Sequence, residues 1–286
     1  MAERKITRVL EGMETMDGAG VRLHRFFGNR EARLLDPFLL LDLFGSDDPD
    51  EYLPGFPTHP HRGIETVTYM LAGTVRHGDS MGNSGYIGPG DVQWMTAGSG
   101  IVHEEMPQPS PLGLRGFQLW VNLSAADKMR DPAYNGYSAQ DIPVEPIPGG
   151  EVHVIAGSFG SSRGPVRGLP GDPRLYDLRL GDSGSAEIEE PTAWTAFVCV
   201  YEGELENPIA PPKEGSVRTP YCALFGDGEK VRIKAAKGGA SLIFAAGAPI
   251  DESIAWGGPI VMNTQAELDL AFEEYASGTF VKAHSR

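Results

Sequence analysis

Short runs of β-forming residues, each cut off by glycine or proline, recur about every ten residues along this chain. Glu65-Thr-Val-Thr-Tyr-Met-Leu71, Asp91-Val-Gln-Trp-Met95, Gly116-Phe-Gln-Leu-Trp-Val-Asn-Leu123, Glu151-Val-His-Val-Ile155 and Lys230-Val-Arg-Ile-Lys234 are the plainest. The last alternates polar and apolar residues with period two, the pattern of a strand with one buried face. The punctuation is heavy: 37 glycines and 23 prolines among 286 residues, against ordinary usage of about 7% and 5%. They follow no collagen-like period and sit among abundant Val, Ile, Leu and aromatic residues, so they read as turns. A long-helix bundle is excluded. Strands split by tight turns predict an all-β sandwich or barrel.

Length and a weak internal repeat predict two such units. The chain is about twice the usual domain of roughly 150 residues, and 41% of it is apolar, enough for a core in each half. Thr66-Val-Thr-Tyr-Met-Leu-Ala-Gly73 resembles Thr195-Ala-Phe-Val-Cys-Val-Tyr-Glu-Gly203, an offset of 130 at the glycines. The proline-rich stretch Asp141-Ile-Pro-Val-Glu-Pro-Ile-Pro-Gly-Gly150 supplies a joint, dividing the chain into residues 1–140 and 141–286. One helix closes the second half. Thr264 and Glu267 form a capping box, Leu268, Ala271, Phe272 and Tyr275 make one apolar face, and Gly278 ends it.

A formal charge of −15 repels phosphate backbones, so direct nucleic-acid binding through a broad basic face is excluded. No charge-free stretch is long enough for a membrane helix. The N-terminal Met1-Ala-Glu-Arg-Lys-Ile-Thr-Arg8 has no apolar run behind it, which predicts no signal peptide and a cytoplasmic protein. Two cysteines, Cys199 and Cys222, make no disulfide framework and lack CxxC spacing; Cys199, in an apolar run, reads as a buried thiol.

The chemistry concentrates in two short clusters. His59-Pro-His61-Arg-Gly-Ile-Glu65 is one, and Gly100-Ile-Val-His103-Glu104-Glu105-Met-Pro107 the other. Alternate residues of a strand share a face, so His59 and His61 can both point inward, as can His103 and Glu105, while Glu104 points away. Three neutral imidazoles and a carboxylate suit one divalent transition metal: Fe, Mn, Ni, Cu, Co or Zn. The lack of thiolates disfavours a closed structural zinc site. Glu65 competes with Glu105 for the fourth position, lying four residues after His61; otherwise it would orient a histidine.

The runs His59-Pro-His-Arg-Gly-Ile-Glu-Thr-Val-Thr-Tyr69, Gly88-Pro-Gly-Asp-Val-Gln-Trp-Met-Thr-Ala-Gly98 and Gly100-Ile-Val-His-Glu-Glu-Met-Pro107 resemble the signature of the pirin family. The likeness continues through Gln118-Leu-Trp-Val-Asn122 and Gly258-Pro-Ile-Val-Met-Asn-Thr264, more loosely in the second half. It implies two tandem cupin barrels, jelly-roll-like, with the C-terminal helix appended. It also implies one metal, usually Fe(II), held in the first barrel by His59, His61, His103 and Glu105, with Glu65 behind them. The second barrel, where His59 and His61 map to Glu189 and Pro191, would carry none.

The same resemblance implies a quercetin 2,3-dioxygenase-like enzyme in which Glu105 is the general base and a flavonol and dioxygen are the substrates. Its rival is a non-catalytic redox sensor whose iron state governs binding to a regulatory protein partner, a transcription factor or metabolic enzyme. A monomer is expected, since the second barrel supplies the pairing surface. The remaining histidines read as bystanders: His77 at a turn or rim, His153 facing solvent, His24 among basic residues, His284 in the tail. Trp94, Met95, Phe56 and Phe117 read as core rather than cavity wall.

Overall fold

The structure, a computed structural model, describes residues 2–206, 216–218 and 221–282. It is all-β, with one α-helix among the described residues, and falls into two compact units. Strand β1 (Ile6–Glu11) begins the chain. The next eleven strands build the first barrel: β2 (Met13–Asp17), β3 (Val21–Phe27), β4 (Phe38–Phe44), β5 (Phe56–His61), β6 (Ile64–Ala72), β7 (Val75–Asp79), β8 (Ser84–Ile87), β9 (Val92–Thr96), β10 (Ile101–Pro107), β11 (Arg115–Asn122) and β12 (Ala133–Tyr137). They form a seven-stranded sheet in the order β12-β9-β6-β11-β4-β3-β2 and a four-stranded sheet in the order β5-β10-β7-β8.

Ten strands follow: β13 (Val144–Ile147), β14 (Gly150–Ala156), β15 (Ser158–Phe159), β16 (Ser162–Arg163), β17 (Arg174–Leu180), β18 (Ser185–Glu189), β19 (Thr195–Glu206), β20 (Ser216–Arg218), β21 (Tyr221–Phe225) and β22 (Lys230–Gly247). The run expected at Lys230–Lys234 is only the start of an 18-residue strand. That start pairs with β18, and after Gly238-Gly239 the strand pairs with β17 and β19. The interior of this unit is filled by apolar side chains, among them Val154, Tyr176, Val198, Leu242 and Phe244, all 0% exposed. Cys199 is buried there as expected, but it is no free thiol. It stands opposite Cys222 across β19 and β21, and the two are disulfide-bonded. Register places the sulfurs together, and register cannot be read from a sequence separation of 23.

The repeat is visible in the backbone. Gly73 (φ 75°), just past β6, and Gly203 (φ 72°), at a register shift within β19, both hold a left-handed conformation. A Cβ on either would strike a carbonyl oxygen of the neighbouring strand's approach, Gly113 O at 2.6 Å and Gly239 O at 2.1 Å. Only glycine satisfies both conditions.

The units do not follow the expected division into residues 1–140 and 141–286. One comprises residues 14–32, 38–139 and 250–286; the other comprises 1–13, 33–37 and 140–249. Strand pairing is the cause. β1 adds to the edge of the nine-stranded second-unit sheet through β21, and the buried Arg4 guanidinium bonds the carbonyls of Pro191, Trp194 and Gly228. At the other end β23 (Ala255–Gly257), β24 (Ile260–Met262) and helix α1 (Gln265–Ser277) pack with the first barrel. The helix begins with the expected capping box, Thr264 and Glu267 bonding reciprocally at 3.2 and 2.9 Å, and ends at Gly278 with φ 76°. Its apolar face is narrower than expected: Leu268 and Ala271 are buried, while Phe272 and Tyr275 are exposed. Among the described residues no helix is long and apolar enough to cross a membrane.

Candidate metal centre

Strands β5 and β10 pair antiparallel with His103 opposite His59 and Ile101 opposite His61. A bulge after His103 shifts the register, yet β10 still alternates strictly between buried and half-buried residues. Its inward set contains His103 and Glu105, and Glu104 points outward to Arg76, 2.8 Å away. Strand parity therefore delivers the arrangement expected of it. One nitrogen from each of His59, His61 and His103 lies within 4.8 Å of the other two.

The imidazole tautomers decide what this group can do. His59 Nδ1 lies 2.8 Å from Pro57 O and His61 Nδ1 3.0 Å from Pro259 O. A carbonyl only accepts, so both rings carry their proton on Nδ1 and present a bare lone pair at Nε2. Those Nε2 atoms are 3.0 Å apart, and His103 Nε2 is 2.9 Å from that of His59. The His59 and His61 lone pairs facing at that distance repel unless a cation sits between them. Burial, and then the nearby His59, push His61 down to about 3. Burial and the neighbouring imidazoles hold His103 well below the usual range. Both shifts favour the neutral, ligating form of His61 and His103, and the donor set fits a divalent transition ion.

Glu105 stands outside this nitrogen cluster but borders the same cavity. Its Oε1 accepts from Thr68 Oγ1 at 2.8 Å and from Gln93 Nε2 at 3.3 Å. The other carboxylate considered, Glu65, does not meet a histidine. Gly63 breaks the chain between β5 and β6, so parity counted from His61 does not carry across it. Glu65 instead accepts from Trp94 Nε1 at 2.9 Å and from Thr96 Oγ1 at 2.9 and 3.1 Å, opposite the face on which Thr68 meets Glu105.

His77 was expected at a rim and is instead 0% exposed. It sits opposite Glu105 across β7 and β10, with Asp79 opposite His103. Its ring stacks on Tyr134 at 4.7 Å and lies 5.5 Å from His103, while Nε2 approaches Asp79 Oδ2 at 3.2 Å. The period-two spacing of His77 and Asp79 is the signal that a turn reading passed over. His153 lies beside Glu151 at 2.9 Å near the surface, as expected, and His284 lies outside the described residues.

A cavity of about 670 Å³ adjoins His59, His61 and Glu105, within the range of small-molecule sites. Trp94, Met95 and Phe117 are core, as expected, but Phe56 lines this cavity with Leu40, Trp120 and Trp256. Trp120 meets His61 edge-on at 5.1 Å and Trp256 at 5.8 Å. A polar row crosses the floor in register: Arg25 on β3, Asp42 on β4, Gln118 on β11, Thr68 on β6 and Gln93 on β9. Arg25 grips Asp42 through Nε at 2.8 Å and Nη2 at 2.6 Å. Burial raises Asp42 to about 6 despite that partner.

Residues 20–121 match the family model described as Pirin, and residues 175–281 match the Pirin C-terminal cupin domain. A pirin-like protein of Caulobacter vibrioides is 44% identical over 284 residues, covering 98% of this chain and all of the relative. Pirin-like protein 2 of Arabidopsis thaliana is 40% identical over 267 residues, covering 92% of this chain and 81% of the relative. Among solved structures, a quercetin 2,3-dioxygenase from Acinetobacter baumannii superposes with a TM-score of 0.87 at 31% identity, covering 98% of this chain and 99% of the other.

Proposed function

The chain belongs to the pirin family, and we propose that it is a metal-dependent dioxygenase cleaving flavonols, taking quercetin and dioxygen to a depside and carbon monoxide. One observation carries the reading: three imidazole nitrogens converge beside a carboxylate on the wall of an aromatic-lined cavity. The solved quercetin 2,3-dioxygenase of the same architecture supports it.

His59, His61, His103 and Glu105 would hold the ion, Fe(II) by preference. When bound, it supplies positive charge that acidifies a coordinated hydroxyl and an open position for small ligands. The chain's own residues do the rest. Pro57 O and Pro259 O fix two rings in the ligating tautomer. Thr68 and Gln93 both bond Oε1 of Glu105, which leaves Oε2 to hold the ion or, once released from it, to accept the flavonol 3-hydroxyl proton. Trp120, Trp256 and Phe56 offer flat apolar surface to the fused rings and exclude water from the reacting centre.

Iron-loaded protein given quercetin in air is expected to consume oxygen and bleach the flavonol absorbance, and Glu105→Gln to slow this by about 100-fold or more, the effect of removing a positioned base. Elemental analysis run beside the assay fixes metal occupancy. Unchanged absorbance at full occupancy would sink the proposal.

A further inference from the structure

The end of the cavity away from the histidines is chemically unlike the rest. Arg25 and Asp42 line it, and Asp42 is only 4% exposed. Arg25 occupies one position on each Asp42 oxygen, whereas each oxygen can accept twice. Among the described residues no other donor reaches them. Arg25 spends its Nη2 on both Asp42 and Asp17, and its Nη1 meets no acceptor among the described residues. The pair thus offers acceptor and donor together at one place, where a buried ion pair is costly unless its remaining capacity is met. Asp17, Arg25 and Asp42 together carry one net negative charge, so an anionic group is repelled there.

Distance along the sheet locates this end. Asp42 is two strands from Thr68, which touches Glu105, and Arg25 is three strands away. Neighbouring strands lie about 4.8 Å apart, so the pair sits roughly 10 to 14 Å from the base. In a flavonol the outer-ring hydroxyl oxygens lie about 6 Å from the 3-oxygen, and a hydrogen bond of about 2.7 Å at each end extends that to about 11 Å, the near end of this range, where Asp42 stands.

Resting on the flavonol reading, we propose that Asp42 and Arg25 are specificity-determining residues that receive hydroxyl groups on the substrate's outer ring. One hydroxyl donates to Asp42 and its neighbour accepts from Arg25. The substrate class is therefore a neutral polyphenol with hydroxyls at the end remote from the metal; a carboxylate at that end is rejected.

Quercetin and galangin, which lacks only the two outer-ring hydroxyls, are the probes. Binding to iron-loaded protein without oxygen is followed by quenching of tryptophan fluorescence, a readout independent of turnover. Quercetin is expected to bind about 10- to 100-fold more tightly, the effect of hydrogen bonds to charged groups. Asp42→Asn, and separately Arg25→Lys, which keeps the charge but not the paired geometry, should narrow that ratio to about threefold or less. Equal binding of both flavonols by the unaltered protein, or an undiminished ratio in both folded variants, overturns this inference and leaves the enzyme assignment standing. Failure of both flavonols to bind overturns the flavonol reading itself, and this inference with it.

Discussion

Thr68 has one hydroxyl proton and two acceptors within reach, Glu105 Oε1 at 2.8 Å and Gln118 Oε1 at 3.0 Å. It can serve both only if Gln118 turns its amide to donate to the hydroxyl, freeing the proton for the carboxylate. Thr68→Val keeps the shape and removes that proton. The expected cost is about 1–3 kcal/mol of stability from the bonds left unmade, read as a lower melting temperature, with a larger fractional loss in kcat than in quercetin affinity. This donor was not legible in the sequence, whereas its client was. His59, His61, His103 and Glu105 follow from parity on two strands, which needs no partner to be known. His77, Glu65 and the Cys199–Cys222 bond depend on what lies across a strand or beyond a turn, and a single sequence carries no register between distant strands.

Among elements, the joint between β5 and β6 is the most exacting. Gly63 holds φ 77°, and a Cβ there would lie 2.0 Å from Val261 O on β24. Gly63→Ala must therefore push β24 away, and with it the Pro259 carbonyl that fixes the His61 tautomer. Strain and lost contacts should lower stability by about 2 kcal/mol or more. Affinity for the ion proposed at this site should fall about 10- to 100-fold, as for loss of a partner to a ligating histidine; titration with a competing chelator measures it. The buried Lys128 ties the same joint, donating to Gly63 O, Asn122 Oδ1 and Val261 O at 2.7–3.0 Å. Locally coded elements were readable in advance: the glycine-bounded strands, and the helix from its capping box to Gly278. The extension of β22 and the exposure of Phe272 and Tyr275 were not, because each is set by what packs alongside.

Over the whole molecule, the two-unit plan followed from length and from the repeat at Gly73 and Gly203, while the course of the termini did not. Nothing local in Ile6–Glu11 says that it will pair with residues more than two hundred positions later. That pairing brings Arg4 to the second unit, where Glu190 lies 3% exposed at its side chain beside Arg174. Burial lifts Glu190 to about 7 against the pull of Arg174 and Arg4. A carboxyl whose pKa is raised on folding binds its proton more tightly in the folded state, so stability falls as pH rises from about 4.5 to 7. The full span is up to about 3 kcal/mol. Chemical denaturation at pH 5 and pH 7 should show that decline, and Glu190→Gln should flatten it; an equal slope in the two proteins would refute the assignment.

The return of residues 250–286 to the first barrel also imposes an order in time. His61 leaves the ribosome 198 residues before Pro259, roughly 10–40 s at a synthesis rate of about 5–20 residues per second. Once His103 has followed, 42 residues after His61, the nascent chain has its three imidazoles but no carbonyl to hold the His61 proton, so its grip on an ion would be weaker than that of the finished chain. The ion proposed for this site would then be chosen in two stages, a loose one open to exchange during translation and a tight one after release.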